Sequence, residues 1–228
     1  MKNLSMVLVA CLIGIATTVS AQWQLNEVLA DTDGGIDVQF VELYNPTAGQ
    51  SVTGLTLVAV RTSNGDVSSS QTLTGTATGN FFLLVNDIYT SESFSPAGDQ
   101  VADDQFFLRD GLQEILLVNT SDFSAADTNY DGTEYNNGAD IIDILYLVDQ
   151  PSGDVDNLEG VFVPLSQTAD IIFGPDPDNF FIEAGGYRDT DGSGAWQALD
   201  FPPAATLPDL ATPGATNANA SVEGWKQF

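Results

Sequence analysis

The sequence predicts an all-β protein built as a β-sandwich, and three observations carry that expectation. Short apolar runs rich in Val, Ile, Leu, Phe and Tyr recur along the chain, and these residue types suit a pleated, half-buried surface. Clusters of Gly, Asp, Asn, Ser and Pro separate the runs, which is the punctuation of tight turns. No long amphipathic helical pattern interrupts the series after residue 21. Many short strands punctuated in this way stack as two sheets, with a closed barrel as the competing architecture.

In chain order, strands are expected at 24–30, 40–45, 56–61, 81–85, 105–108, 114–118, 141–148, 160–164 and 171–173. The turns between them include Asp33-Gly34-Gly35, Asn64-Gly65-Asp66, Asp110-Gly111, Asn137-Gly138 and Ser152-Gly153-Asp154. The Ser/Thr/Gly-rich stretch 62–80 reads as hairpin connections. Two acidic, turn-rich segments, at about 120–140 and 149–170, read as insertions into one domain that spans residues 22–217. No linker divides that domain. The segment 218–228 reads as a fraying C-terminal tail. Core candidates are Val28, Phe40, Val41, Leu43, Leu57, Leu84, Ile115, Leu117, Ile142, Ile144 and Trp196.

The first 21 residues read as a signal peptide. Lys2 supplies the positive start, Met6 to Ile15 an apolar core, and Val19-Ser20-Ala21 the small residues of a cleavage site. Cleavage after Ala21 sends the chain to a secreted, periplasmic or cell-surface location. The apolar stretch is too short for a membrane span. Leu8-Val9-Ala10-Cys11 also spells a lipobox, but the apolar run continues past Cys11. Cys11 is the only cysteine, so the mature chain has no disulfide, and its core must supply stability unaided.

Charge narrows the range of partners. Lys2 is one of five basic residues, and none of the 32 acidic ones precedes residue 22, so the mature net charge is −28. Nucleic acid and anionic lipid would be repelled. Cations, basic surfaces and neutral polymers remain, leaving an extracellular protein or polysaccharide as the expected partner. At 43% hydrophobic residues the chain is no disordered acidic tail.

Four motifs carry a family resemblance. Near the start are Leu25-Asn26-Glu27-Val28-Leu29-Ala30-Asp31 and Phe40-Val41-Glu42-Leu43-Tyr44-Asn45-Pro46, followed by the turn Val52-Thr53-Gly54-Leu55-Thr56-Leu57. Near the end are Arg188-Asp189-Thr190-Asp191-Gly192 with Ala195-Trp196-Gln197, and Thr212-Pro213-Gly214-Ala215-Thr216-Asn217. Taken together they resemble the secreted bacterial lamin-tail domain. In that family an Asn-Glu strand precedes one ending Glu-Leu-Tyr-Asn-Pro, and the chain exits through Thr-Pro-Gly-Ala-x-Asn. Leu55 stands where the family usually has Trp. The resemblance implies an immunoglobulin-like sandwich. It also brings in the family's company, since bacterial lamin-tail domains often accompany secreted nucleases in larger chains.

Alternation places Val41 and Leu43 on one face of their strand, with Glu42 and Tyr44 on the other. Glu27 and Glu42 can then meet on neighbouring strands. They are expected as structural carboxylates that hold backbone N–H groups or Arg188. A catalytic pair is the competing reading.

Chemistry is otherwise sparsely provided for. The chain has no histidine, and the mature part has no cysteine, which removes the usual general base, the nucleophilic dyads and typical zinc or copper sites. No catalytic residue is assigned. The metal that this composition allows is Ca²⁺, a hard ion that takes oxygen ligands. Its best candidate site is Asp127, Asn129 and Asp131 with the carbonyl of Thr133, matching the first half of an EF-hand loop with Gly132 at the turn. The closing Glu is missing, since Gly138 stands there. A solvated Asx turn is the competing reading. The turn Asp189-Thr190-Asp191-Gly192-Ser193 is a second, weaker candidate. Trp23, Trp196 and Trp225 could stack on sugars, although core or edge packing explains them as well.

The expectation is therefore a non-catalytic extracellular binding or structural module, acting in adhesion, matrix or surface assembly and stabilised by calcium. The alternative is a carboxylate-based hydrolase, or an accessory to a secreted nuclease system.

Overall fold

The computed structural model describes residues 22–30, 38–61, 67–103, 108, 113–121, 123, 141–148, 170–173, 185–199 and 212–217. They form two sheets and one short helix, an all-β sandwich as the strand pattern predicts. The elements are β1 (Gln24–Leu29), β2 (Phe40–Tyr44), β3 (Leu55–Arg61), β4 (Val67–Thr72), β5 (Phe81–Val85), α1 (Asp87–Ser91), β6 (Gln100–Val101), β7 (Gln113–Asn119), β8 (Ile141–Val148), β9 (Asp170–Phe173), β10 (Gly185–Arg188) and β11 (Trp196–Leu199). The first sheet has the order β11-β10-β1-β2-β5-β6, the second β4-β3-β7-β8-β9. Pairing is antiparallel except between β5 and β6 and between β8 and β9. No helix among the described residues is long and apolar enough to cross a membrane.

The main core lies between the sheets. Leu25, Val28, Val41, Leu43, Phe82 and Leu84 meet Leu57, Ala59, Ile115, Leu117, Leu145 and Leu147 across it. Ile142 and Trp196 pack against this cluster from partly buried positions. The second sheet is buried on both faces. Val58, Val60, Leu116 and Val118 alternate with its core residues, point the other way, and are also out of contact with water. That two-sided burial is why β3 and β7 read as nearly continuous apolar runs.

Ile144 and Phe40 are buried as expected, but outside the main cluster. Ile144 lies on the far face of the second sheet, because Leu145 and Leu147 beside it point inward. Phe40 is buried in a separate cluster on the outer face of the first sheet. There Leu29, Val38, Leu83, Val85 and Tyr89 pack beneath α1, whose first turn is capped by the Asn86 side chain. The segment 62–80 is also more than hairpin connections, since it contains β4, a Ser-rich edge strand paired to β3 alone. Its neighbours behave as expected. Asn45 ends β2 by accepting a hydrogen bond from the Thr47 N–H at 2.9 Å, the Asx turn expected at Asn-Pro.

β1 contains the irregularity that shapes the site. Leu25 pairs with Leu43 and Glu27 with Glu42, so Asn26 is an extra residue, a β-bulge. The bulge lets Leu25 and Val28, three residues apart, both face the core. Beside the bulge, side chains also engage the Leu25 backbone. Asp143 accepts from the Leu25 N–H at 2.8 Å, and Arg188 Nε donates to the Leu25 carbonyl at 2.8 Å. Beside it β10 must approach β1 very closely, and a Cβ at Gly185 would overlap the Val28 carbonyl.

Candidate functional site

The outer face of the first sheet carries the only place where chemistry-bearing side chains converge among the described residues. Glu27 on β1 and Glu42 on β2 are directly opposite in register, so both project from the same face. Glu42 and Tyr44 lie on this face and Val41 and Leu43 on the other, as alternation requires. Both glutamates are 0% exposed.

The closing segment 212–217 covers the pair. Thr212 to Ala215 forms a turn, with the Ala215 N–H bonded to the Thr212 carbonyl at 2.9 Å. Pro213 sits second in it and Gly214 third, at φ +73°, the arrangement of a type II turn. Only glycine takes that backbone without strain. The turn aims its N–H groups at the carboxyls. Thr212 donates from its backbone N–H to both oxygens of Glu27 at 3.2 Å and from its hydroxyl to one of them at 3.3 Å. The Gly214 N–H donates to Glu42.

The bulged Asn26 ties the remaining pieces together. Its Nδ2 donates to Glu42 Oε1 at 2.7 Å and to Asp191 at 3.3 Å, while its Oδ1 accepts from the Gly192 N–H at 2.8 Å. Asn217 donates from its N–H to Asp191 at 3.0 Å and from Nδ2 to the Asn26 carbonyl at 3.3 Å. Without the bulge, Asn26 would point to the opposite face and could not reach both carboxyls.

Two acids placed so closely in a dry environment resist ionisation. Burial is the main cause that pushes Glu27 from its ordinary 4.5 up to about 8; hydrogen bonds from Thr212 pull it down, and the charge of Asp191 pushes it further up. Burial also holds Glu42 well above the usual carboxylate range. The charge of Glu27 adds to that, against the hydrogen bonds from Asn26 and Gly214. The protons belong to the pair and not to either residue alone.

Arg188 lies elsewhere. Its guanidinium reaches Asp143 on β8 at 3.3 Å, donates to the Gly194 carbonyl at 3.1 Å, and stacks 4.8 Å from the centre of the Trp196 ring. Of the two partners expected for the glutamates, backbone N–H groups hold them, and Arg188 instead joins the two sheets. Asp143 and Asn26 were not anticipated as members of either network. The bulge that recruits them leaves no trace in the alternation of β1.

The expected calcium ligands Asp127, Asn129, Asp131 and Thr133 lie outside the described residues, as do the signal peptide and Trp225. At the weaker calcium candidate, Asp191 is engaged by the N–H groups of Asn26 and Asn217, and Asp189 is exposed. No group of three or more acidic residues among those described is placed to hold a metal ion. Trp23 is buried in the core with its ring N–H donated to the Ser51 carbonyl at 3.1 Å, which takes it out of any sugar-stacking surface. A small recess is lined by Gln39, Phe40, Val41, Leu84, Val85, Asn86, Ala102 and Leu108, and neither glutamate of the pair lines it. Its inner volume, about 10 Å³, has room for one water molecule and no ligand.

In comparisons with known proteins, no family model and no curated protein matches the chain.

Proposed function

We propose that the chain is a non-catalytic extracellular module of the lamin-tail type, exported by its signal peptide and used in adhesion, matrix or surface assembly. One observation carries the non-catalytic part. The sole convergent acidic pair among the described residues has its oxygens bonded to Asn26, Thr212 and Gly214, and the chain's own closing segment lies over it. A general acid must reach the atom it protonates, and these two are engaged by backbone and side-chain donors of the chain itself. The motifs of the lamin-tail resemblance meet here. Asn26-Glu27, Glu42, Asp191-Gly192 and Thr212 to Asn217 form one network, which gives the residues of the motifs a shared structural task. In this reading calcium binds at Asp127, Asn129, Asp131 and Thr133 and stabilises the module.

A second reading keeps some support, since facing carboxyls of which one retains its proton near neutrality are the equipment of a carboxylate-based hydrolase. It requires the closing segment to move aside for substrate. One experiment separates the two. The protein is presented to immobilised extracellular polysaccharides and cell-surface extracts, with and without calcium, and its products are assayed on polysaccharide and polynucleotide substrates. Retention by a polymer or surface protein, with no turnover, is the expected result. Turnover that Glu27→Gln abolishes would overturn the non-catalytic reading.

A further inference from the structure

We propose that the closing segment 212–217 is a proton-controlled clasp, docked on the first sheet while Glu27 and Glu42 keep a proton between them and freed when both carboxyls ionise. The inference does not depend on what the module binds.

The geometry supports it in three ways. The two carboxyls are opposite each other in register and excluded from water, so a doubly ionised pair would set two like charges side by side in a low dielectric. The segment has its main anchors at these same two groups, through the Thr212 N–H and hydroxyl and the Gly214 N–H. Among the described residues no counter-charge is paired with them, since the guanidinium of Arg188 reaches Asp143, Leu25 and Gly194 instead. Water can reach the pair only if a covering element moves. The segment 212–217 is tied down by a handful of side-chain and turn bonds, whereas β1 and β2 each lie between two strands of the sheet.

Other groups facing the pair leave the proton balance to the glutamates. Asp191, in the turn between β10 and β11, adds negative charge and so favours retention of the proton. Tyr187 on β10 is opposite Glu27 and is raised above its ordinary 10, while Tyr89 on α1 is pushed up to about 12. Both phenols therefore stay neutral across the relevant range. Asn26, Thr212 and Asn217 do not titrate.

The direction follows from linkage. The docked form holds a proton that a solvated carboxyl gives up at its ordinary 4.5, and Glu27 keeps its proton up to about 8. Between those values, opening releases a proton, so each unit of rising pH favours opening by up to about tenfold. Below 4.5 both forms are protonated and the clasp is tightest. Above about 8 Glu27 is ionised in both forms and its share of the dependence ends, while Glu42, also held above the usual carboxylate range by burial and by the charge of Glu27, adds a dependence of the same sign.

The test is amide hydrogen exchange by NMR between pH 4.5 and 9.5, corrected for the intrinsic pH dependence of exchange. Protection at Thr212, Gly214 and Asn217 is expected to fall by up to about tenfold per unit between pH 4.5 and 8. Leu57 and Leu117, in the middle of the second sheet, report global opening and should fall less. In the Glu27→Gln/Glu42→Gln double variant the dependence at Thr212 and Gly214 should vanish. Constant protection of those amides in the wild type overturns the proposal, as does a fall that the double variant retains. If the double variant does not fold, the wild type decides alone. A fall at Thr212 and Gly214 steeper than that at Leu57 and Leu117 between pH 4.5 and 8 supports the clasp, and one no steeper overturns it.

Discussion

Two acidic sites among the described residues handle their charge in opposite ways. Asp143, between the sheets, faces the guanidinium of Arg188 and accepts from the Leu25 N–H beside the bulge in β1. Glu27, on the outer face of the first sheet, faces Glu42 and backbone N–H groups. The first arrangement offsets a buried negative charge with a positive one. The second has no cation among the described residues, and burial raises the pKa of both its carboxyls, which favours a retained proton. They differ because the chain is so short of basic residues, with five Lys and Arg against 32 acidic ones. A chain of that composition cannot give each buried acid a counter-ion. The expected calcium loop at Asp127, Asn129 and Asp131 would be a third solution, a metal cation recruited from the medium.

The largest effect is expected from breaking the first arrangement. Arg188→Met keeps much of the side-chain volume over Trp196 but removes the cation beside Asp143 and a donor to the Leu25 carbonyl. Removing one partner of a buried ion pair costs about 3–5 kcal/mol, to be read as a shift in the urea midpoint at constant m. A loss below about 1 kcal/mol would mean the pair behaves as an exposed one.

Next in size is the pH dependence of the second arrangement. A glutamate held above its unfolded value contributes stability that is complete below 4.5 and is lost as pH climbs to about 8. Across that window the unfolding free energy should fall by on the order of 1 kcal/mol per pH unit from this pair. General repulsion among the acidic residues adds a salt-sensitive fall of the same sign. Denaturation at high salt, comparing wild type with Glu27→Gln, isolates the part due to the pair. Equal slopes in the two proteins would remove Glu27 from the explanation.

Local turn chemistry should give a smaller change. Gly214→Ala puts a side chain at φ +73° and against the Pro96 ring. The expected cost is about 1–2 kcal/mol, concentrated in protection of the closing segment and not of β7. A uniform loss of protection across both sheets would show that the segment does not open separately.

How much of this was legible beforehand depends on which residues carried the information. The strands β2, β3, β7 and β8 announce themselves because each buries large apolar side chains, and Val41-Glu42-Leu43-Tyr44 gives its faces correctly by alternation alone. That Glu27 and Glu42 would meet also follows from the pattern. Leu25 could not be placed, because one extra residue at Asn26 reverses the faces on either side of it. β4 was hidden by its three serines, which an edge strand tolerates because one side of it lacks a partner. β10 was hidden by Gly185-Gly186, where the close approach to Val28 demands the residue type that usually signals a turn. Thr212 and Gly214 stood out as a motif, yet Thr212 is 185 residues from its partner Glu27. No local rule connects residues that far apart. The guanidinium of Arg188 had two candidate acids within reach of inference, and only the placement of β8 decides for Asp143.

The smallest effect concerns the calcium loop. If Asp127, Asn129 and Asp131 hold Ca²⁺ with a Kd on the order of 10⁻⁴–10⁻³ M, tenfold excess over Kd stabilises the fold by roughly 1.4 kcal/mol. That is a rise of a few degrees in Tm. Mg²⁺ at equal concentration should do less, and Asp127→Asn with Asp131→Asn should abolish the difference between the two ions. Equal responses to both metals would leave the loop a solvated turn.

The contrast between the two acidic sites rests on the protonation of the Glu27–Glu42 pair, which can be followed directly. With glutamate labelled at the side-chain carboxyl carbon, a ¹³C NMR titration reports each carboxyl in the folded protein. One resonance of the pair is expected to remain in its protonated position well above 4.5 and to titrate towards pH 8, while surface glutamates titrate in the ordinary range. If Glu27 and Glu42 both ionise with the surface residues, the pair holds no proton and the proposed difference between the two sites is wrong.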